Sequence, residues 1–236
     1  MRMENLNEAF IKNAGPESYP LRHAHSHKVS NADGSIVAMF DHLPTQLSQE
    51  IRQWPVVVGC VAWLTNEEIL TALQSREHVS LLVNKEDFLR PDSAGSYREA
   101  NLRRLYASLP GTNRYIHNNA GFYNVCSDPT VEGVRCVGVS GRRSDVPPRM
   151  HHKFLVFCNK VDRLGPLDEV RVFPRAVWTG SFNFTENGRR SLENAVLIRD
   201  AGIASAYYAE WEALLGISER LNWSSEYVDP EYRFGT

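Results

Sequence analysis

The fold of this chain is decided by the run Arg149-Met150-His151-His152-Lys153-Phe154-Leu155-Val156-Phe157. Its apolar residues indicate a buried strand, and the side chains of a strand alternate between its two faces. His151 and Lys153 are therefore expected on one face, and His152 is expected to face away as a core or supporting histidine. A histidine and a lysine on an otherwise apolar strand need partners or a substrate, because desolvating either group alone is costly. The run thus predicts a strand that carries a functional site.

A second run, Thr179-Gly180-Ser181-Phe182-Asn183-Phe184-Thr185, repeats the pattern of polar residues at every second position. The same alternation puts Ser181 and Asn183 on one face of a predicted strand. A further strand is predicted over residues 192–198, with Glu193 near its start. The order of these three segments, on strands of an α/β pattern, favours a catalytic site over chance occurrence.

These segments resemble the HKD motif region of the phospholipase D superfamily. The resemblance rests on His151 and Lys153, on Gly-Ser-x-Asn at 180–183, and on Glu193-Asn194 before the next strand. It covers roughly residues 54–215 and looks most like the short members with one motif per chain, the bacterial Nuc-type endonucleases and the mitochondrial cardiolipin hydrolase group. The fold it implies is α/β, a phospholipase D-like mixed β-sheet flanked by helices with one HKD motif per chain.

The resemblance also implies a chemistry and assigns a role to each residue. A neutral imidazole, His151, attacks phosphorus and forms a phosphohistidine that water then hydrolyses. Lys153 and Asn183 bind the non-bridging oxygens, and Ser181 adds a donor. Glu193 orients the imidazole through its other nitrogen. No metal and no cofactor is expected.

A second histidine must protonate the leaving oxygen, because one imidazole cannot attack and protonate from opposite sides of the phosphorus. The chain holds a single His-x-Lys followed by Gly-Ser-x-Asn. The resemblance implies a two-fold homodimer in which both motifs meet at the interface, and an isologous dimer provides that geometry.

The chain departs from the motif at one position. Where the superfamily places Asp, five residues after the lysine, this chain has Cys158. Cys158 lies an odd number of positions after Lys153, so on a regular strand its side chain is on the opposite face and points away from the phosphate. The role of the position is therefore expected to be structural. Asp162 is a candidate replacement from the loop that is expected to follow.

Three arginines, Arg142, Arg143 and Arg149, precede the histidine run and are predicted to bind phosphates that flank the one being cleaved. The alternative is a charged surface loop.

Two other groups leave alternatives open. The arginines and tyrosines around a helix predicted near residues 97–109 form either a binding surface for single-stranded nucleic acid or the solvent-exposed face of an amphipathic helix. His23, His25 and His27 form either a metal-binding face or, as is favoured, a solvated loop.

Composition limits the class of protein. The 236 residues are 42% hydrophobic and carry a formal charge of −2, so a polyanion must be held by a local patch of positive charge. No apolar run is long enough to span a bilayer, and no membrane anchor is expected. The four scattered cysteines predict reduced thiols and a cytoplasmic location.

Pattern along the chain predicts its organisation. Residues 1–48 are expected to be an extension of unknown role, 49–220 the catalytic domain and 221–236 a C-terminal tail. Within the domain, residues 56–84 read as a strand, a helix capped by Thr65 or Asn66, and a second parallel strand.

Three more elements are predicted with less regular patterns. Residues 36–40 could form an edge strand, and residues 158–175 are expected to be a long connection. A last helix begins after Asp200 and ends at Gly216, and its apolar stripe is predicted to be Ile203, Tyr207, Trp211, Leu214 and Leu215.

The leading hypothesis is a metal-independent endonuclease that cleaves DNA, with RNA as the alternative nucleic acid. The same site accepts any accessible phosphodiester, so a phospholipase D-type lipid phosphodiesterase is the second hypothesis. A catalytically silent nucleic-acid-binding module is the third, because Cys158 departs from the motif.

Overall fold

The structure is a computed structural model and describes residues 28–86, 89, 96–113, 122–124, 130–140, 149–162, 170–223, 225, 227 and 232–234. Within these ranges the chain forms a mixed α/β fold, as predicted. Helices pack on both faces of an eight-stranded mixed sheet. The predicted site residues Arg142 and Arg143 lie outside the described residues, as do His23, His25 and His27.

Twelve strands are described: β1 Lys28–Ser30, β2 Ile36–Met39, β3 Val56–Val61, β4 His78–Asn84, β5 Thr112–Asn113, β6 Phe122–Asn124, β7 Thr130–Val131, β8 Val134–Val137, β9 Lys153–Asp162, β10 Val170–Gly180, β11 Ala195–Ile198 and β12 Tyr232–Phe234. Four α-helices are described: α1 Leu43–Ile51, α2 Glu67–Gln74, α3 Tyr97–Ala107 and α4 Ala201–Gly216. A 3-10 helix spans Gly188–Arg190.

The main sheet has the order β1-β2-β11-β10-β9-β3-β4-β8. Strands β3, β4 and β8 are parallel to one another, and the other neighbours are antiparallel. The predicted unit β3-α2-β4 is therefore confirmed, with β3 and β4 side by side. Strand β9 lies at the centre of the sheet between β3 and β10, so the histidine run enters the molecule beside its most buried strands.

Each face of the sheet has its own hydrophobic core, because side chains alternate along the strands. On one face Val57, Leu155 and Trp178 belong to the core that includes residues of α1, α2 and α3. On the other face Val58 and Val156 belong to the core that includes residues of α4. The central strands are apolar on both faces for this reason.

Local signals account for where the helices begin. Asn66 caps α2 by accepting a hydrogen bond from the backbone N–H of Ile69. Asp200 caps α4 in the same way through the N–H of Ile203, as predicted. Ser96 and Glu99 form a capping box at α3, in which each side chain accepts from the other residue's backbone N–H.

Strands β9 and β10 form a long antiparallel hairpin, which corrects the predicted connection over residues 158–175. Strand β9 continues to Asp162 and β10 begins at Val170, so only residues 163–169 join them. The side chain of Asp162 lies outside the described residues. In this part of the hairpin Lys160 forms an ion pair with Glu77 at 2.6 Å.

The strand predicted at residues 36–40 exists as β2, but it is not an edge strand, since β1 pairs with its outer side. The predicted extension over 1–48 thus includes β1, β2 and the start of α1. Of the predicted apolar stripe of α4, Trp211 and Leu215 are buried and Tyr207 and Leu214 pack against the same core, whereas Ile203 is exposed.

The C-terminal segment packs against the end of β4. Lys85 is buried and forms an ion pair with Glu219, and its ammonium also donates to the backbone oxygen of Tyr227 at 2.7 Å. The same ammonium lies 4.5 Å from the ring centroid of Trp223, which is buried in the core beneath α1 and α2. Part of the predicted tail therefore contributes to the domain.

Candidate active site

The predicted site residues come from neighbouring chain segments at one end of the sheet. Lys153, the first residue of β9, pairs with Val61, the last residue of β3. Beside it Gly180, the last residue of β10, pairs with Ala195, the first residue of β11. His151, Ser181 and Glu193 lie in the loops that adjoin these strand ends, because the antiparallel pairing brings the end of β10 to the starts of β9 and β11.

His151 lies just before the strand rather than within it, since β9 begins at Lys153. It is exposed, and the Lys153 ammonium lies 3.3 Å from its Nδ1 and 3.2 Å from its Nε2. The same ammonium donates to the backbone oxygen of His151 at 2.9 Å. The structure thus brings the two residues together, as expected from their spacing.

The electrostatics of the pair favour a neutral imidazole. The positive charge of Lys153 lowers the pKa of His151 below its ordinary value, and partial desolvation, Arg149 and His152 lower it further. Desolvation also lowers the pKa of Lys153, while the nearby carboxylate of Glu193 acts in the opposite direction. An imidazole that stays unprotonated near neutral pH can act as a nucleophile.

Ser181 and Glu193 are in direct contact. The Ser181 hydroxyl donates to the Glu193 carboxylate and accepts from the backbone N–H of Asn194 at 3.1 Å. The backbone of Gly180 makes this close approach possible, because a Cβ there would lie 2.3 Å from the Asn194 carbonyl oxygen. In the part of the chain that the structure describes, Glu193 is hydrogen-bonded to Ser181 and not to the His151 ring that it was predicted to orient.

Asn183 lies in the loop after β10, and not on the strand as predicted. Its side-chain oxygen is buried without a hydrogen-bond partner, and no contact joins it to His151 or Lys153 among the described residues. Arg149 is exposed and acts on His151 through its charge. The predicted group is therefore assembled around His151, Lys153, Ser181 and Glu193.

The two remaining sequence predictions concern His152 and Cys158. His152 was predicted to face away as a core or supporting histidine, and it does face α4, but at the surface, where its Nε2 lies 3.2 Å from Glu210. Cys158 is fully buried in the core on the α4 side of the sheet. Burial, and then the charge of Glu212, raise the pKa of the Cys158 thiol, so it stays protonated. Cys60, Cys136 and Cys158 are buried free thiols, as predicted.

Three residues near the site were not singled out from the sequence: Trp63, which contacts His151, and Asn84 and Glu86, which contact Met150 and Trp63 respectively. The Trp63 and His151 rings meet edge to face, with centroids 5.5 Å apart and planes at 80°. Trp63 follows β3, Asn84 is the last residue of β4, and Glu86 follows β4. The predicted parallel βαβ unit was therefore the sequence signal that could have placed these residues together. Parallel strands end at the same edge of a sheet, but the sequence did not reveal that β9 begins there too.

The described ranges hold no group of three or more histidine, cysteine, aspartate or glutamate side chains placed to bind a metal ion. Among the helices described, none is long and apolar enough to cross a membrane.

Comparisons with known proteins give one close relative and several structures of similar fold. No family model matches the chain. The chain is 32% identical over 211 residues to a protein of Acanthamoeba polyphaga mimivirus described as uncharacterized protein L381. The alignment covers 82% of this chain and 70% of that protein.

Among solved structures, Nuc of Salmonella typhimurium, described as a phospholipase D family member, aligns with a TM-score of 0.47 and 15% identity over 78% of this chain and 96% of its own. NucT of Helicobacter pylori aligns with a TM-score of 0.46 and 12% identity over the same shares.

Proposed function

The chain belongs to the same protein family as the mimivirus protein L381, and for this chain we propose the function of a phosphodiesterase of the phospholipase D superfamily. The observation that carries the proposal is the contact between the Lys153 ammonium and the imidazole of His151. It leaves an exposed, neutral nucleophile beside a cation at one end of the sheet. Ser181 and Glu193 lie in the adjoining loops and complete the group.

The proposed reaction has two steps. A ring nitrogen of His151 attacks phosphorus while the bond to the leaving oxygen breaks, which forms a phosphohistidine. Water then attacks the phosphohistidine, the bond between nitrogen and phosphorus breaks, and the imidazole is restored. Lys153 binds the non-bridging oxygens in both steps, where their charge reorganises in the transition state. Asn183 is proposed as a further donor to these oxygens, and so is Ser181 once its hydroxyl turns from Glu193 to the substrate, with no metal or cofactor.

The leaving oxygen needs a proton from a second acid on the opposite side of the phosphorus. We assign this acid to His151 of a second copy of the chain, in a homodimer whose two sites meet at the interface. The exposure of His151 supports this assignment, since a group that must approach a second copy cannot be buried within one chain.

The proposed substrate is nucleic acid, either DNA or RNA, and the proposed activity is that of an endonuclease. Arg149 adds positive charge next to His151, although the chain as a whole carries a formal charge of −2. Such a local patch can hold a phosphate that flanks the one being cleaved. Arg142 and Arg143 are proposed to extend it, and the cytoplasm is proposed as the place of action.

The test is incubation of the purified full chain, in excess EDTA, with labelled single-stranded and double-stranded DNA and RNA. Wild type is expected to cleave at least one of the four, and His151→Ala is expected to be inactive. His152→Ala is the matched control, because this neighbouring histidine points to Glu210 and should be dispensable.

Each other outcome of this test excludes part of the proposal. Cleavage that needs a metal ion, or that survives in His151→Ala, would refute the phosphohistidine mechanism. Binding without cleavage would favour the silent binding module. If no nucleic acid is bound or cleaved, vesicles of anionic phospholipid are the next substrate.

A further inference from the structure

The orientation of the His151 ring has an unexpected origin. The carboxylate of Glu193 was expected to orient this ring, but it accepts its hydrogen bond from Ser181. The Lys153 ammonium cannot select one ring nitrogen, since it lies at 3.3 Å from Nδ1 and 3.2 Å from Nε2. Among the residues that the structure describes, the other contact of the ring is the edge-to-face packing of Trp63 on the imidazole.

Trp63 is itself held in place by a carboxylate. Its indole N–H donates to Oε1 of Glu86 at 3.2 Å. The Lys153 ammonium lies 5.9 Å from the centroid of the Trp63 ring, which is at the outer limit of a cation–π contact. The indole therefore borders both members of the His151–Lys153 pair.

The same oxygen of Glu86 is also linked to the backbone next to His151 through hydrogen bonds of Asn84. The side-chain amide of Asn84 donates to Oε1 of Glu86 at 2.6 Å, and its oxygen accepts from the backbone N–H of Met150 at 3.1 Å. Asn84 is buried, so its two bonds are shielded from water. One carboxylate oxygen thus fixes both the indole that packs on His151 and the backbone that immediately precedes it.

We propose that Glu86 and Trp63 are positioning residues, which hold the imidazole of His151 in the orientation needed for attack on phosphorus. Neither residue touches the substrate in this role. The inference rests on the proposed phosphodiesterase activity for its kinetic consequence, but its geometric content stands apart from that activity. Loss of orientation should slow the chemical step more than substrate binding, because misplacement of a reacting group by about 1 Å can cost about 100-fold in rate.

The kinetic test compares four variants of the full chain on a soluble phosphodiester such as bis(4-nitrophenyl) phosphate. Glu86→Ala and Trp63→Phe should each lower kcat about 10- to 100-fold while KM stays within about twofold. Glu86→Gln keeps an acceptor oxygen for both donors and should restore most of kcat.

Trp54→Phe is the matched control. The Trp54 indole also donates to a glutamate, Glu50, at 3.0 Å, but it precedes β3, at the opposite end of this strand from Trp63. It should lose the same kind of bond without a change in kcat. Equal losses in Trp54→Phe and Trp63→Phe, or unchanged kcat in both Glu86→Ala and Trp63→Phe, would overturn the inference.

A second readout does not need activity. In the NMR spectrum the imidazole protons of His151 should carry a ring-current shift from Trp63, which Glu86→Ala should remove and Glu86→Gln should retain. If wild type cleaves no phosphodiester, the proposed function fails while this shift still tests the positioning. If the shift is the same in wild type and Glu86→Ala, the positioning fails, whatever the activity.

Discussion

His151 and Lys153 illustrate how one contact sets the protonation state of a side chain. The ammonium is the largest of the causes that lower the pKa of His151, ahead of desolvation and the charges of Arg149 and His152. A nucleophilic imidazole works in its neutral form, so activity should fall as the pH falls through this pKa. The acid limb of the pH profile is therefore expected below the ordinary histidine value of 6.5.

Lys153→Gln should raise the pKa of His151 towards 6.5, because it removes the nearest positive charge. The measurement is an NMR titration of the His151 ring in wild type and variant. Lys160→Gln is the matched control, since Lys160 lies near the other end of the same strand and pairs with Glu77. The prediction is wrong if both variants titrate like wild type.

Cys158 lies five residues after Lys153, where the sequence resemblance implies an aspartate, and belongs to the core on the α4 side. Cys158→Ala should leave kcat within about twofold of wild type, because the side chain faces away from Lys153. It should lower the free energy of unfolding by about 1 kcal/mol through lost packing. Urea unfolding and diester hydrolysis measure the two effects, and a large loss of kcat at unchanged stability would assign Cys158 to the site.

At the scale of elements, the N-terminal strands are part of the fold. Strand β2 pairs with β11, and residues before position 49 contribute four side chains to the core of that face: Val37, Met39, Leu43 and Leu47. Burial of such side chains contributes about 1.5 to 3 kcal/mol each. Their sum is comparable with the whole stability of a typical domain, roughly 5 to 15 kcal/mol.

A chain that begins at Gln49 should therefore fail to show a cooperative urea transition by circular dichroism. A chain that begins at Lys28 retains all elements described and should keep the transition. If the shorter chain unfolds at the same urea concentration as the longer one, β1, β2 and the start of α1 are dispensable for the fold.

At the scale of the whole molecule, the proposed dimer has a consequence for mixed assemblies. If each site needs His151 from both copies, a heterodimer of wild type and His151→Ala is inactive. After unfolding and refolding of an equimolar mixture, about one quarter of the wild-type activity per total protein should remain, which is the share of wild-type homodimers under random pairing.

Independent sites would leave about one half of that activity, and this result would contradict the shared site. The measurement is diester hydrolysis by the refolded mixture. Refolded wild type at the same total concentration is the reference, and light scattering reports the oligomeric state of each sample.

The sequence by itself determined the features that depend on local pattern. The β3-α2-β4 unit, the cap of α2 at Thr65 or Asn66, the cap Asp200 and the His-x-Lys spacing all follow from residues within a few positions of one another. The alternation of strands and helices followed from the same patterns, because periodicities are local, whereas the mixed sheet was implied by the resemblance to the phospholipase D superfamily.

Only the tertiary structure decided what distant segments do together. The hairpin of β9 and β10, the place of β2 inside the sheet and the contact of Glu193 with Ser181 were not predicted correctly. Neither was the support of His151 by Trp63 and Glu86. The physical reason is that these contacts depend on strand order and register, which place residues far apart in sequence at one end of the sheet, whereas periodicity reports only which face of its own element a residue occupies.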